Sequence, residues 1–305
     1  MIRIAQLVKN YGNITALDRV DLTIEEGECV VLIGPSGCGK STLLRSINRM
    51  VQPDSGSVYV DEQDILNYPP ETLRRKIGYC IQNVGLFPHY TVYENIAVVP
   101  KMLKWSKAKI EERVDFLMDL TGLPKEYKTK KPHELSGGEA QRVGVCRALA
   151  ADPDILLMDE PFGAVDPMTR VKIQTAFRNI QKELKKTVVF VTHDVEEAVL
   201  LADKIAVMQN GKILGYDTPS NFALHMEEEF VRSFLGVDYP VKLLKRHNID
   251  DLLNQESDSK LTLNELLAGM LESPNGGVTI QNANGSKQTL YFEDLTHYLH
   301  KDDQV

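Results

Sequence analysis

The sequence predicts an α/β protein built around a mostly parallel β-sheet. Three short apolar runs predict strands buried on both faces: "ECVVLIG" (28–34), "ILLM" (155–158) and "VVFV" (188–191). A glycine-rich turn and then a segment with helical spacing, "STLLRSINRM" (41–50), follow the first run. Buried strands that alternate with helices are typical of a sheet covered by helices.

Length and charge limit the possible classes of protein. With 305 residues and 43% hydrophobic residues, the chain can form one large domain, or one domain with an appendage. The formal net charge is −8, so there is no basic surplus with which to hold a nucleic-acid backbone. We therefore expect no nucleic-acid partner.

The cysteines and the N-terminus bear on location. Cys29, Cys38, Cys80 and Cys146 lie far apart without C-x-x-C spacing, which predicts buried, reduced thiols. The N-terminus, "MIRIAQLVKNYG", lacks the features of a signal peptide, and no apolar run approaches the ~20 residues that span a bilayer. We expect an intracellular protein that does not itself cross a membrane.

The turn after the first strand has the pattern G-x-x-x-x-G-K-[ST]. Its glycines let successive backbone N–H groups face one anion, and the helix that begins near Lys40 adds its N-terminal partial charge. In this pattern Lys40 reaches the β- and γ-phosphates of a nucleotide and Ser41 holds Mg²⁺. The predicted ATP-binding residues of this loop are Gly34, Pro35, Ser36, Gly37, Cys38, Gly39, Lys40, Ser41 and Thr42. The alternative is a glycine turn that binds nothing.

The second apolar run ends in two carboxylates. "DPDILLMDEP" places Asp159 and Glu160 directly after the predicted strand. Asp159 would hold Mg²⁺ directly or through water, and Glu160 would polarise the attacking water. Taken by itself, the run could also be an ordinary strand end.

Between these motifs lies "LSGGEAQRVGVCRALA" (135–150), in which Ser136, Gly137 and Gly138 stand at the start of a helix. Small residues at a helix N-terminus form a second anion site. One nucleotide in one chain does not need two such sites, whereas in a dimer each chain can offer its second site to its partner's nucleotide. Here the sequence resembles the ATP-binding subunit of ABC transporters, whose signature is LSGGQ, with Glu139 where glutamine is usual.

The resemblance covers about residues 1–236 and implies further site residues. It implies that Tyr11 stacks on adenine and that Gln82 joins the metal and the attacking water. It also implies that Asp166, in "GAVDP", reaches across the dimer and that His193 contacts the γ-phosphate. The implied catalytic residues are Glu160, His193 and Gln82, and the implied metal ligands are Ser41, Gln82 and Asp159. A surface tyrosine and a structural histidine are the alternatives for Tyr11 and His193.

The resemblance also implies an architecture and partners. The ATPase core would carry an antiparallel β subdomain and a helical subdomain at about residues 84–150. Phe87, Pro88 and Tyr90 would line a groove that receives a helix from a membrane permease, unless they belong to the subdomain's core. ATP would close two copies into a dimer at the cytoplasmic face of the membrane. The dimer would be coupled to permease subunits and, indirectly, to a solute-binding protein.

Three segments resemble the importers of quaternary amines and related osmoprotectants: "IGYCIQNVGLFPHYTVYENIA", "PFGAVDPMTR" and "EEEFVRSFLG". That family takes up glycine betaine, carnitine, choline and related betaines such as ergothioneine. Its ATPase subunit does not touch the cargo, so these residues do not choose among the solutes. An exporter's ATPase is one alternative. A soluble ABC ATPase without a membrane partner is another, and the lack of a long heptad run or a second cassette argues against it.

The tail, residues 237–305, has a different character. "LTLNELLAGMLES" (261–273) predicts a helix. "GGVTIQNANGSKQTLYFEDLTHYL" (276–299) predicts two strands across an Asn284-Gly285 turn, followed by a helix. This order resembles one shortened CBS module, which could pair with its copy as a regulatory dimer. The alternative is a remnant that only stabilises the ATPase dimer.

Overall fold

The structure is a computed structural model that describes residues 1–81, 85–224, 229–236, 239–243, 263–273, 277–281, 287–291 and 294. The chain divides into two compact units, Met1–Thr218 and Pro219–Val305. The sequence-based boundary between residues 236 and 237 stays a prediction.

The strands of the first unit form two sheets. They are β1 (Ile2–Tyr11), β2 (Ile14–Ile24), β3 (Cys29–Ile33), β4 (Ser55–Val60), β5 (Gln63–Asp64), β6 (Ile77–Cys80), β7 (Ile155–Asp159), β8 (Thr187–Val191), β9 (Lys204–Gln209) and β10 (Lys212–Asp217).

The larger sheet has six strands in the order β10-β9-β3-β8-β7-β6. All neighbours in it are parallel except β10, which pairs antiparallel with β9. Every residue of β3, β7 and β8 is buried, as expected for continuous apolar runs covered on both faces. The carboxyl ends of β3, β7 and β8 therefore lie side by side, which places the segments that follow them close together.

The smaller sheet is antiparallel, with the order β2-β1-β4-β5. Buried and exposed residues alternate along the second half of β2, so one face packs inward and the other is solvated. Its inward side chains, including Ile2, Leu7 and Leu17, join the same hydrophobic core as Val30 and Leu157 of the larger sheet.

The helices of the first unit are α1 (Lys40–Ile47), α2 (Pro70–Lys76), α3 (Val92–Met102), α4 (Lys107–Leu120), α5 (Gly137–Leu149), α6 (Pro167–Leu184) and α7 (Val195–Leu201). Three of them, α3, α4 and α5, pack on one another in the region predicted to be the helical subdomain. A capping box between Thr91 and Glu94 begins α3, and the Ser106 hydroxyl caps α4. The chain turns after α4 at Gly122, where φ is 63°.

The second unit contains α8 (Pro219–Leu224), α9 (Glu229–Leu235), α10 (Tyr239–Leu243), α11 (Leu263–Glu272), β11 (Gly277–Gln281) and β12 (Lys287–Tyr291). The predicted helix and two strands of the tail are present, and the strands pair antiparallel. They share a small core of Leu263, Leu266, Met270, Ile280 and Leu290. The predicted Asn284-Gly285 turn lies outside the described residues, as does nearly all of the final predicted helix.

The predicted α/β fold, with its mostly parallel sheet and its antiparallel β subdomain, is confirmed. All four cysteine side chains are buried, as predicted. Within the described ranges, no helix is both long and apolar enough to cross a bilayer.

Candidate functional site

The glycine-rich turn connects β3 to α1, and α1 begins at Lys40 as predicted. Gly34 has φ 151° and Gly39 has φ 111°, conformations that residues with a Cβ rarely adopt. A Cβ at Gly34 would lie 2.1 Å from the carbonyl oxygen of Met208, and one at Gly39 would lie 2.3 Å from that of Ala16. Glycine is therefore required at both positions, because the backbone passes too close to its neighbours for any side chain.

Lys40 is 6% exposed and lies inside this loop. Its Nζ donates hydrogen bonds to the carbonyl oxygens of Gly34 at 2.7 Å and Pro35 at 2.9 Å. The ammonium group and the N-terminus of α1 thus bring positive charge to the same loop. This combination favours an anion such as a phosphate group.

Asp159, the last residue of β7, has a buried side chain that faces α1. Ser41 Oγ donates a hydrogen bond of 2.9 Å to Asp159 Oδ1. Arg45 Nη2 lies 3.7 Å from Asp159 Oδ2, yet this buried oxygen has no hydrogen-bond partner among the described residues. Burial raises the pKa of Asp159 above its ordinary value. A hydroxyl beside a buried carboxylate with an unsatisfied oxygen fits a hard cation such as Mg²⁺, which prefers oxygen ligands.

Glu160 and His193 meet at the adjacent ends of β7 and β8. The Glu160 backbone N–H donates to the Val191 carbonyl at 3.0 Å, so the pairing of β7 with β8 extends to Glu160 and the chain turns beyond this residue. Glu160 has φ 47°, in the left-handed region that is uncommon for residues other than glycine. His193 Nδ1 lies 3.4 Å from Glu160 Oε1, and the two side chains are 66% and 24% exposed. This acid–imidazole pair is therefore accessible from solvent.

A buried network fixes the residues on either side of His193. Thr192 Oγ1 donates to Glu197 Oε2 at 2.5 Å, and Gln174 Nε2 donates to Glu197 Oε1 at 2.8 Å. The Asp194 backbone N–H in turn donates to Thr192 Oγ1 at 3.0 Å. Burial raises the pKa of Glu197. The network ties the loop that carries His193 to both α6 and α7.

The signature residues form the N-terminus of α5. Ser136 Oγ accepts a hydrogen bond from the Glu139 N–H at 3.3 Å, and Glu139 Oε2 accepts one from the Ser136 N–H at 2.7 Å. This capping box leaves Gly137 and Gly138 in the first turn of the helix. The hydrogen bond from the Ser136 backbone lowers the pKa of Glu139. The departure from the usual glutamine thus adds a negative charge that caps the helix.

The other predicted residues are dispersed. Tyr11 ends β1 with its side chain 50% exposed, and Lys9 Nζ lies 5.4 Å from the centre of its ring. Asp166 caps α6 through a hydrogen bond of 3.0 Å from the Thr169 N–H, and this backbone bond lowers the pKa of Asp166. Gln82 lies outside the described residues. Contacts between side chains join Ser41 to Asp159 and Glu160 to His193.

A cavity of about 360 Å³ opens beside the helical region, with Tyr79, Ile81, Phe87 and Val98 among its lining residues. Phe87 was predicted to line a groove here. Pro88 and Tyr90 were predicted to line the same groove, and this stays a prediction. Pro88 is exposed next to Phe87, and the centre of the Tyr90 ring lies 5.2 Å from that of the Phe87 ring.

Besides Glu197, the sequence analysis missed two further buried polar residues near these sites. The side-chain amide of Asn95 bonds to the backbone N–H and carbonyl of Phe87 and to the carbonyls of Tyr90 and Thr91. Gln141 joins α5 to the turn that follows β7. The one available signal was that Gln141 shares the apolar face of its helix, four residues before Val145.

Comparisons with known proteins agree with this geometry. A family model described as "ABC transporter" matches residues 17–163. The carnitine transport ATP-binding protein OpuCA of Listeria monocytogenes is 48% identical over 239 residues, 78% of this chain and 60% of that protein. The glycine betaine uptake system ATP-binding protein YehX of Escherichia coli is 41% identical over 304 residues, 97% of this chain and 99% of that protein.

Solved structures show the same fold. The dimeric, post-hydrolysis structure of the ATP-binding cassette MJ0796, bound to ADP and Pi, superposes with a TM-score of 0.67 at 34% identity, over 72% of this chain and 98% of that one. This chain thus spans 60% of the carnitine relative's length but nearly all of the glycine betaine relative's. The full-length match, the family model and the shared fold agree, and the chain belongs to the family of ABC transporter ATP-binding proteins.

Proposed function

We propose that this chain is the ATP-hydrolysing subunit of an importer for quaternary amines and related osmoprotectants, such as glycine betaine, carnitine or choline. The observation that carries the proposal is the 41% identity to the E. coli glycine betaine uptake protein across 97% of this chain, a match that reaches into the tail. The carnitine relative supports the same class of cargo. The cargo class rests on these relatives, because no residue of this subunit is expected to touch the solute.

In the proposed reaction, the loop of residues 34–42 holds the phosphates of ATP, with Lys40 at the β- and γ-phosphates. Ser41 and Asp159, together with Gln82, would hold Mg²⁺. The unsatisfied Oδ2 of Asp159 supports this role. When bound, the cation supplies positive charge that offsets the charge of the phosphates. Tyr11 would stack on adenine, since its ring is half exposed at the end of β1.

Glu160 would accept a hydrogen bond from the attacking water and orient it, and His193 beside it would donate to the γ-phosphate. The distance of 3.4 Å between His193 Nδ1 and Glu160 Oε1 supports a joint action of the two side chains at the γ-phosphate and the attacking water. The chain's catalytic contribution is then mainly the placement of charge around the transferring phosphoryl group.

A second copy of the chain would complete each site. The α5 N-terminus of that copy, with Ser136 and Gly138, would face the γ-phosphate, and Asp166 would reach across the dimer. The dimeric state of the MJ0796 structure supports this arrangement. The cavity beside Phe87 would receive a helix of the permease, which would hold the subunit at the cytoplasmic face of the membrane. A solute-binding protein would deliver the cargo to that permease.

The tail from about residue 237 would be a shortened CBS-like module. The helix and paired strands around one small core support a folded module of its own. It would pair with the tail of the second copy, either to regulate transport or to stabilise the dimer. Truncation after Gly236 separates these roles. Loss of the ATP-dependent dimer in size-exclusion chromatography with light scattering would indicate stabilisation. A retained dimer with an altered dependence of uptake on ionic strength would indicate regulation.

Uptake tests the cargo. In a host that lacks this gene, we expect uptake of labelled glycine betaine, carnitine or choline to be lost. The wild-type gene and Lys125→Ala should restore it, and Lys40→Ala should not. Lys125 is a suitable surface control because its side chain is 57% exposed and, among the described residues, forms an ion pair with Asp119 at 3.1 Å. Unchanged uptake of all three solutes and of ergothioneine would contradict the cargo assignment and leave an exporter as the alternative.

Glu160→Gln tests the assigned chemistry. The variant keeps the size of the side chain but cannot accept a proton, so ATP should still bind and close the dimer while hydrolysis stops. Phosphate release and light scattering measure the two properties. Normal ATPase activity of this variant would remove Glu160 from its assigned role.

A further inference from the structure

Gln141 is a buried glutamine in α5 that has no role in the proposed reaction. Its side chain lies on the apolar face of the helix, and the residue is 3% exposed. Its Nε2 donates a hydrogen bond of 2.8 Å to the Glu160 carbonyl oxygen, and its Oε1 accepts one of 2.6 Å from the Ala164 N–H. Because both ends of the amide are engaged, its orientation is fixed.

The two partners are the ends of a single turn, residues 160–164. The Gly163 N–H also donates to the Glu160 carbonyl, at 3.3 Å, and the ring of Phe162 anchors the turn in the core with 1% exposure. Glu160 has a left-handed backbone conformation, which is unfavourable for a residue with a Cβ. The bond from Gln141 therefore holds the peptide group after Glu160 and, with it, the direction in which the Glu160 side chain leaves the backbone.

The first turn of α5 contacts the same segment. A Cβ at Gly138 would lie 2.9 Å from the carbonyl oxygen of Ala164, so the helix and the turn touch without an intervening side chain. Ser136, which begins the helix, lies less than two helical turns before Gln141. The N-terminus of α5 and the Glu160 carboxylate are thus attached to one small rigid unit.

We propose that Gln141 is a positioning residue for ATP hydrolysis. Its amide holds Glu160 and the N-terminus of α5 in one arrangement. The Glu160 carboxylate acts on the nucleotide of its own chain, and the N-terminus of α5 faces the nucleotide of the second copy, so Gln141 aligns the two sites. The inference rests on the proposed function, because it concerns the same reaction. It adds a residue that touches neither nucleotide.

The test uses the purified full-length chain and Gln141→Leu, which removes both hydrogen bonds at similar volume. Gln181→Leu is the matched control. Gln181 is also 3% exposed, and its Nε2 donates to two backbone carbonyls, those of Gly27 at 2.8 Å and Lys186 at 3.0 Å. We measure kcat, KM for MgATP, the Kd of a fluorescent ATP analogue and Tm for each variant.

Gln141→Leu should lower kcat by between about 10-fold and 100-fold, because small displacements of a reacting group have effects of that size. KM and the nucleotide Kd should stay unchanged, since the phosphate loop is intact. Gln181→Leu should lower Tm similarly and leave kcat unchanged. Normal kcat in Gln141→Leu, or an equal loss of kcat in the control at equal Tm, would overturn the inference while the proposed function stands. A wild-type chain without ATPase activity would overturn both.

Gln141→Glu provides a second test that does not depend on how Gln141→Leu folds. The carboxylate form can accept from Ala164 but cannot donate to the Glu160 carbonyl, whereas the protonated form can do both. The ratio of variant to wild-type kcat should therefore rise as pH falls, a response that a purely structural role would not give. A ratio that does not change with pH would count against the positioning role.

Discussion

Two glycines of the phosphate loop should respond very differently to the same substitution. Gly37 has φ 79° and Gly39 has φ 111°, so an alanine is strained at either position. A Cβ at Gly37 would meet no described atom within 4 Å. A Cβ at Gly39 would lie 2.3 Å from the Ala16 carbonyl oxygen and 3.1 Å from Leu17 Cδ2. Both neighbours belong to β2, so Gly39→Ala should push α1 away from the antiparallel sheet.

The difference in magnitude follows from these distances. The left-handed backbone costs about 1–2 kcal/mol for alanine at either position. An ordinary C···O contact is about 3.3 Å, so Gly39→Ala also requires a shift of roughly 1 Å, and such overpacking costs about 1–3 kcal/mol. The free energy of unfolding should therefore fall by about 2 kcal/mol more in Gly39→Ala than in Gly37→Ala, a difference of about 4–8 °C in Tm.

Tryptophan fluorescence is suited to this measurement. The chain has a single tryptophan, Trp105, and it belongs to the first compact unit, so thermal unfolding followed by its emission reports on that unit alone. The two variants are compared without nucleotide, which removes any difference in ATP affinity. Equal Tm values for Gly37→Ala and Gly39→Ala would refute the reasoning, because they would mean that the contact with β2 does not constrain the loop.

Three further predictions concern side chains around the site. Burial raises the pKa of Glu197, so the stability that its protonated form contributes is complete below the ordinary pKa of 4.5 and is lost as pH rises through the raised pKa. Glu197→Gln should therefore flatten the fall of Tm above pH 4.5. An unchanged dependence of Tm on pH would contradict this prediction. Asn95→Leu should free the loop at Phe87, which limited chymotrypsin digestion would detect as faster cleavage there than in wild type. Tyr11→Ala should weaken ATP binding by about 10-fold while Tyr11→Phe preserves it, because stacking contributes about 1–3 kcal/mol; equal Kd values in a fluorescence titration would remove Tyr11 from the site.

The sheet and the phosphate loop could be predicted from the sequence because their signals are local. A continuous apolar run has few alternatives to a strand buried on both faces, as β7 and β8 are. The resemblance implied that Glu160 and His193 act in one site, and the structure brings them together because the carboxyl ends of the neighbouring parallel strands β7 and β8 meet at one edge. The motif likewise predicted that glycine is needed at positions 34 and 39, but it did not identify the backbone atoms that these two glycines approach.

The polar residues that support the site could not be predicted, because their partners are backbone groups of turns or buried side chains. Gln141, Asn95 and Glu197 are polar residues of helices, and nothing in a single sequence tells which backbone groups a tertiary turn leaves unpaired. The same limit applies to other helical proteins. Helical spacing identifies apolar contacts, whereas a buried amide or acid is recognised only when the atoms that satisfy it are in place.

The neighbouring acids at the end of β7 show how much the local backbone decides. Asp159 is still part of the strand, so its side chain is 1% exposed and faces Ser41. Glu160 has left the strand in a left-handed conformation, and its side chain is 24% exposed beside His193. A buried carboxylate with an unsatisfied oxygen suits a fixed cation, whereas a partly exposed one can reach a water molecule. The proposed division between metal binding and catalysis therefore depends on the one turn that Gln141 holds.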